Sequence, residues 1–206
     1  MLDESFGYTV SYSEDGSTIT NFKESPNEGP HFFRLDVLPK TGFSAVRPTT
    51  LSAQPKEISY KPQNLVLQIP SLDVKADIVT VPFVNGEYPV EWLGMQAGML
   101  EGSAKPGEGM VVLTGHNTLN STEAGPFAFL SFMQEGDMIF LLNKYNQLKP
   151  FVVYAVEKIG AFDSAALERI ASMDEKSLTL LTCEDELTEG GYASRRVVAA
   201  RPVGTW

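Results

Sequence analysis

Short apolar runs of four to six residues, each bounded by turn residues, recur from Leu65 to the end of the chain. They are Leu65-Val-Leu-Gln-Ile69, Ile78-Val-Thr-Val81, Met110-Val-Val-Leu-Thr114, Met138-Ile-Phe-Leu-Leu142, Phe151-Val-Val-Tyr-Ala-Val156, Leu178-Thr-Leu-Leu-Thr182 and Arg196-Val-Val-Ala-Ala200. All are rich in β-branched residues, and their spacing predicts an all-β barrel or sandwich. Two segments break the pattern. Asp163-Ser-Ala-Ala-Leu-Glu-Arg-Ile-Ala171 offers Asp163 as an N-cap and sets Leu167 and Ile170 three apart, which predicts a short helix, and Pro126-Phe-Ala-Phe-Leu130 predicts one helical turn. Upstream, Tyr8 to Tyr12 and Ser17 to Thr20 alternate with period two around Ser13-Glu-Asp-Gly16, the pattern of a β-hairpin. An isolated hairpin is marginal in water, so this one either docks on the main domain or is the tail of a domain lying upstream. Between them Pro26, Pro30, Pro39, Pro48, Pro55 and Pro62 recur among Ser, Thr and Gly, and each pushes its predecessor toward extended geometry. The pattern therefore divides the chain into a hairpin (1–22), an extended Pro-rich linker (23–63) and a β domain (64–206).

Composition narrows the partners. The 206 residues carry 16 Lys and Arg against 26 Asp and Glu, a net charge of −10, which argues against nucleic acid and against an anionic membrane surface as partner. Half of that charge lies in the first 30 residues, where six acids face the single base Lys23. With one Cys no internal disulfide can form, and the two His cannot build a multi-ligand zinc site without carboxylates. No run approaches the roughly 18 apolar residues of a membrane span. The start, Met-Leu-Asp-Glu-Ser, lacks the basic and apolar regions of a signal peptide, so the chain is expected either to be cytosolic or to be a segment of a longer exported protein.

Chemistry concentrates at strand ends. Cys183 closes an apolar strand and is followed at once by Glu184, Asp185 and Glu186. His116 lies just beyond the run from Met110 and opens a loop, whereas His31, beside Phe32 and Phe33 in the linker, has no such setting and is given no role. Arg195 and Arg196 begin the last strand, and because a strand alternates its faces only one of the two can point toward a site at the strand end. A thiol, an imidazole and a guanidinium at three strand ends suit acyl transfer. The thiolate attacks a carbonyl, the imidazolium protonates the leaving amine, and the guanidinium steadies the oxyanion or holds the substrate.

Thr179-Leu-Leu-Thr-Cys183 resembles the Thr-Leu-x-Thr-Cys signature of the sortases, the cysteine transpeptidases of bacterial cell surfaces. Leu113-Thr-Gly-His116, Gly125-Pro-Phe-Ala-Phe-Leu130 and Gly136-Asp137 are similar to that family's His segment, Leu67-Gln-Ile-Pro-Ser-Leu-Asp-Val74 to its opening strand, and Tyr192-Ala-Ser-Arg195-Arg-Val-Val-Ala-Ala200 to its closing Arg strand. The resemblance runs in the right order from about residue 64 to 203. It implies an eight-stranded β-barrel with short helices, no cofactor, Cys183 as nucleophile, His116 as acid and base, and Arg195 as the positioning cation, with Arg196 the alternative. By the same resemblance Thr182 adds an oxyanion or substrate contact. The implied reaction cleaves a sorting signal such as Leu-Pro-x-Thr-Gly after Thr and passes the acyl group to an amine of a cell-wall precursor or a pilin Lys, outside the bacterial cytoplasm. The acids after Cys183 oppose the thiolate if they point inward. Some sortases bind Ca²⁺, but no ligand spacing here supports a Ca²⁺ site, and a solvated loop is the expectation.

The linker itself holds a match to the sorting signal, Leu38-Pro39-Lys40-Thr41-Gly42. Average composition yields such a match in roughly one 200-residue chain per few hundred. Phe43-Ser-Ala-Val-Arg-Pro follows in place of a membrane span, so the motif is unlike an ordinary anchoring signal. The stretch from 43 to 64 spans up to about 70 Å if extended, enough to bring the motif to the chain's own site as a cis substrate or pseudosubstrate. Finally, Tyr8 to Asn21 resembles the closing hairpin of Cna-B-type adhesin and pilin domains, which implies a chain drawn from a fused surface protein. Rival expectations are a hydrolytic or pilin-polymerising Cys enzyme on the same fold, and a catalytically silent module that only binds sorting peptides.

Overall fold

The computed structural model describes residues 9–12, 18–21, 53–119, 123–188 and 191–204. They fall in two compact units, 1–31 and 32–206. In the first, β1 (Thr9–Tyr12) and β2 (Thr18–Asn21) pair antiparallel, with Thr9 opposite Asn21 and Tyr12 opposite Thr18, which is the hairpin that the alternating pattern predicts. The linker motif Leu38 to Gly42 lies outside the described residues.

The second unit is a closed eight-stranded barrel with one helix and two short 3-10 turns among the described residues. Its strands are β3 (Lys61–Ile69), β4 (Val74–Val81), β5 (Ala97–Leu100), β6 (Val111–Thr114), β7 (Met138–Asn143), β8 (Leu148–Gly160), β9 (Leu178–Thr188) and β10 (Gly191–Pro202). Around the barrel they run β10-β8-β7-β3-β4-β5-β6-β9, and β9 pairs with β10 to close it. Six of the eight neighbouring pairs are antiparallel; β4 with β5 and β6 with β9 are parallel. Parallel neighbours need long crossovers. Residues 82–96 and the stretch from 115 to 177 supply them, and the first of these packs against the barrel's outer layer.

Period-two alternation sorts the strand residues into two apolar layers. Leu67, Ile78, Ala97, Leu113, Ile139, Phe151, Leu180 and Val198 come from all eight strands and fill the interior. Val81, Leu100, Val112, Ala155, Leu181, Val197 and Ala199 face outward, where the crossover residues Tyr88 and Leu93 and the helix α1 (Ser164–Ala171) cover them. The helix starts where the sequence indicates. Asp163 accepts a hydrogen bond from the Ala166 N–H at 3.0 Å, and Leu167, Ile170 and Ala171 are its buried residues. The Pro126 to Leu130 segment makes turns that run into the 3-10 turn Leu130–Phe132.

Strand β5, Ala-Gly-Met-Leu, is the one strand with no counterpart among the apolar runs. Gly98 is required there: a Cβ would stand 2.6 Å from Val81 Cγ2 and 2.8 Å from Leu93 Cδ1. Tight packing between β4 and the crossover thus selects against the β-branched residues that make a strand visible in a sequence.

Candidate active site

Cys183 and Arg195 lie within their strands rather than at strand ends, because backbone pairing continues past both, and the loop that follows β6 bonds to the main chain beside them. Cys183 lies in β9 and Arg195 directly opposite it in β10, within a hairpin whose register runs Arg196 with Thr182, Arg195 with Cys183 and Ser194 with Glu184. Alternation places Cys183 on the face of Leu181, and Arg195 on the face of Val197 and Ala199, so both project from the outward layer of the barrel. The Arg195 guanidinium, 4% exposed, donates from Nη1 to the Cys183 sulfur. The Arg195 charge and hydrogen bond favour the thiolate form of Cys183.

The doubled Arg is resolved by this register. Arg196 faces the other side, where its Nη2 donates to Glu184 Oε1 at 2.7 Å in a largely buried ion pair. Asp185 is likewise engaged: its carboxylate accepts from Lys158 Nζ at 2.5 Å and from Ser194 Oγ at 2.6 Å, which holds it below the usual carboxylate range. Two of the three acids after the thiol therefore carry their own cations. Asp185 also sits at a φ of 70°, next to the register shift between Tyr192 and Ser194. This bulge lies just past Cys183.

His116 arrives from the parallel neighbour. The last β6–β9 partners are Thr114 and Leu181; Cys183 stands two residues further along β9, and His116 two residues past the end of β6, in the loop that follows it. His116 hydrogen-bonds the backbone of Glu91 and Val90 in the crossover, a segment pinned by Tyr60 Oη donating to the Pro89 carbonyl at 2.7 Å and Tyr88 Oη donating to the Glu101 carbonyl at 2.6 Å. Its own carbonyl accepts from the Phe127 N–H at 3.0 Å. Phe127 and Leu130, both fully buried, anchor this loop in the interior, each contributing about 1.5–3 kcal/mol. Gly125 allows the close approach, since a Cβ there would lie 2.1 Å from the His116 carbonyl oxygen.

Thr182 is buried, and its hydroxyl donates to the Gly115 carbonyl at 2.8 Å, across the seam between β9 and the His loop. Sequence reasoning did not single out Asn117, whose Nδ2 donates to the Cys183 carbonyl at 3.0 Å, nor the crossover backbone at Val90 and Glu91. Backbone partners leave no residue-type signal, and an Asn after a His has many ordinary uses. No group of three or more His, Cys, Asp or Glu suited to a metal occurs among the described residues, and no helix there is long and apolar enough to cross a membrane.

Burial acts on the pair in opposite directions. It pushes the Cys183 thiol up, against the lowering effects of the Arg195 charge and hydrogen bond. It pushes His116 down, against the raising effect of its bonds to the Glu91 and Val90 backbone. A raised thiol pKa delays the thiolate to higher pH and a lowered imidazole pKa removes the imidazolium sooner, so the neutral pair dominates near pH 7. Alkylation of Cys183 by iodoacetamide, followed by intact mass, should show a pH midpoint above that of a free cysteine peptide. A midpoint below the peptide's contradicts this account. If both groups act in one step, a kcat/KM profile would have an acidic limb set by the lowered and an alkaline limb by the raised group.

Known proteins share this fold. A sequence model of the sortase domain matches residues 67–203. Among solved structures, sortase C-1 from Actinomyces oris is 22% identical with a TM-score of 0.52, over 68% of this chain and 73% of that one. Sortase A from Corynebacterium diphtheriae is 24% identical with a TM-score of 0.53, over 71% of this chain and 63% of that one. Sortase C from Clostridium perfringens, solved with the C-terminal cell wall sorting motif, is 21% identical with a TM-score of 0.50, over 68% and 69% of the two chains. At these identities the likeness to each is one of fold. No curated protein sequence matches the chain.

Proposed function

Because the chain belongs to the sortase family, we propose that it is a cysteine transpeptidase that cuts a Leu-Pro-x-Thr-Gly signal after Thr and joins the Thr to an amine. The observation that supports this reading is the Arg195 guanidinium on the Cys183 sulfur, beside a seam where Gly115 and Asn117, the neighbours of His116, bond to Thr182 and Cys183.

In the proposed reaction the Cys183 thiolate attacks the Thr carbonyl carbon, and the charge passes to the carbonyl oxygen. Arg195 stabilises that oxyanion; one such donor is worth about 2.7–4 kcal/mol. The C–N bond then breaks, His116 gives its proton to the departing Gly amine, and a Thr thioester remains. An incoming amine gives a proton to His116, attacks the thioester and releases the thiolate. Side chains alone supply this chemistry. The acceptor is an amine of a cell-wall precursor or a pilin Lys, and the site of action is the bacterial surface. The sorting motif held by the Clostridium perfringens sortase C supports the choice of peptide.

Leu38 to Gly42 serves as a cis substrate or pseudosubstrate, and the hairpin before it as the tail of an adhesin-type sandwich. Tethering gives the motif an effective concentration on the order of millimolar, enough to outcompete weak free substrates. One experiment addresses both functions: the full chain is incubated with triglycine, with and without a labelled Leu-Pro-Lys-Thr-Gly peptide. Amide product on the peptide is expected, with either a chain cut after Thr41 or an uncut chain whose peptide turnover rises on Thr41→Ala. Acid product despite triglycine would make the enzyme a hydrolase, and no product would overturn the transpeptidase reading. An uncut chain with Thr41→Ala inert would remove the cis role.

A further inference from the structure

The backbone ladder between β6 and β9 ends at Thr114 and Leu181, short of the two reacting side chains. What continues it is a row of hydrogen bonds that includes side chains. Thr114 Oγ1 donates to the Leu181 carbonyl at 3.1 Å, the Gly115 N–H donates to the same carbonyl at 3.3 Å, and Thr182 Oγ1 donates to the Gly115 carbonyl at 2.8 Å. The last rung is Asn117, whose Nδ2 donates to the carbonyl of Cys183 itself at 3.0 Å.

We propose that Asn117 is a positioning residue: its amide stands in for a backbone N–H and fixes the Cys183 main chain in register with His116. The proposal rests on reading Cys183 and His116 as the reacting pair. Two contacts orient Asn117 for the task. Thr118 Oγ1 donates to Asn117 Oδ1 at 3.2 Å, which occupies the amide oxygen and turns the nitrogen toward Cys183, and the Gly125 N–H donates to the Asn117 carbonyl at 2.7 Å, which fixes its backbone. Asn117 adjoins His116 in sequence, so this single bond ties the backbone at the nucleophile directly to the backbone at the acid and base. The adjoining cross-seam ties, made by Thr182 and Gly115, each lie one residue short of the pair.

A misplacement of about 1 Å between reacting groups costs on the order of 10²-fold in rate. In the full chain, Asn117→Ala and the isosteric Asn117→Asp, which puts an acceptor against the carbonyl, should each lower kcat by about 10- to 100-fold while KM for the Leu-Pro-Lys-Thr-Gly peptide stays within about twofold. Asn117→Gln keeps an amide donor and should recover more than Asn117→Asp. The second readout is alkylation of Cys183 by iodoacetamide near pH 7. In the parent chain His116→Ala should change that rate, whereas in the Asn117→Ala background the same change should have little further effect, because the pair is already uncoupled. A purely structural role would lower Tm and kcat together, with His116 dependence intact, and that result would overturn the proposal, as would an unchanged kcat in both variants. If the parent chain turns over no sorting peptide, the transpeptidase reading fails and the alkylation cycle alone decides the role of Asn117.

Discussion

Cys183→Ala should abolish transfer of the sorting peptide to triglycine, with a loss of about 10⁴-fold or more, as removal of a covalent nucleophile does elsewhere. No other thiol exists in the chain to take over. Folding should survive, since Cys183 is only half-buried and Ala suits its position, although Arg195 then keeps a buried charge without its sulfur partner. Chromatography of the peptide products, beside a melting curve, separates lost chemistry from lost structure. A variant that keeps more than about 1% of the parent rate would place the nucleophile elsewhere.

The adjacent arginines provide the second large effect, because their neighbours make opposite forecasts. Arg195→Ala should cost about 10²- to 10³-fold in kcat, the scale for losing one oxyanion donor. Arg195→Lys should recover little, because an ammonium on a flexible stem lacks the planar fork that reaches both sulfur and oxyanion. Arg196→Ala should leave kcat within about threefold and act on stability. It leaves Glu184 without its cation in a largely buried site, and breaking such a pair should cost about 3–5 kcal/mol, or about 6–20 °C in Tm. Steady-state kinetics and melting curves on the three variants decide it. Loss of kcat in Arg196→Ala with Arg195→Ala nearly intact would exchange their roles.

Seven of the eight barrel strands and the helix with its Asp163 cap are legible in the sequence, because their apolar residues follow the period of the element they form. Strand β5 is silent, since close packing around Gly98 leaves it no β-branched residue. Strands β3 and β9 extend past their apolar runs, to Lys61 and to Thr188, because backbone pairing continues after the side chains turn polar. For the site, residue type picks out Cys183 and His116, and alternation predicts that only one of Arg195 and Arg196 faces the thiol. The direction of the acids is a matter of register, and the sequence alone does not hold it. Glu184 and Asp185 turn to Arg196 and Lys158 only because β10 and β8 set those cations beside them. Asn117 is legible only once its amide is seen across the seam.

The two parallel seams also bear on how the molecule assembles. Cys183 and Arg195 are 12 residues apart and meet within one hairpin, whereas the Thr182 to Gly115 bond joins residues 67 apart. By loop-closure entropy the longer span costs about 1.5 kcal/mol more to bring together. A parallel seam, moreover, has no turn to start it. The thiol and its guanidinium thus belong to a unit that forms locally, while the imidazole joins them only when β6 closes the barrel against β9. A chain caught short of closure holds the thiol and its guanidinium without the imidazole beside them, so barrel closure is the step that completes the proposed active site.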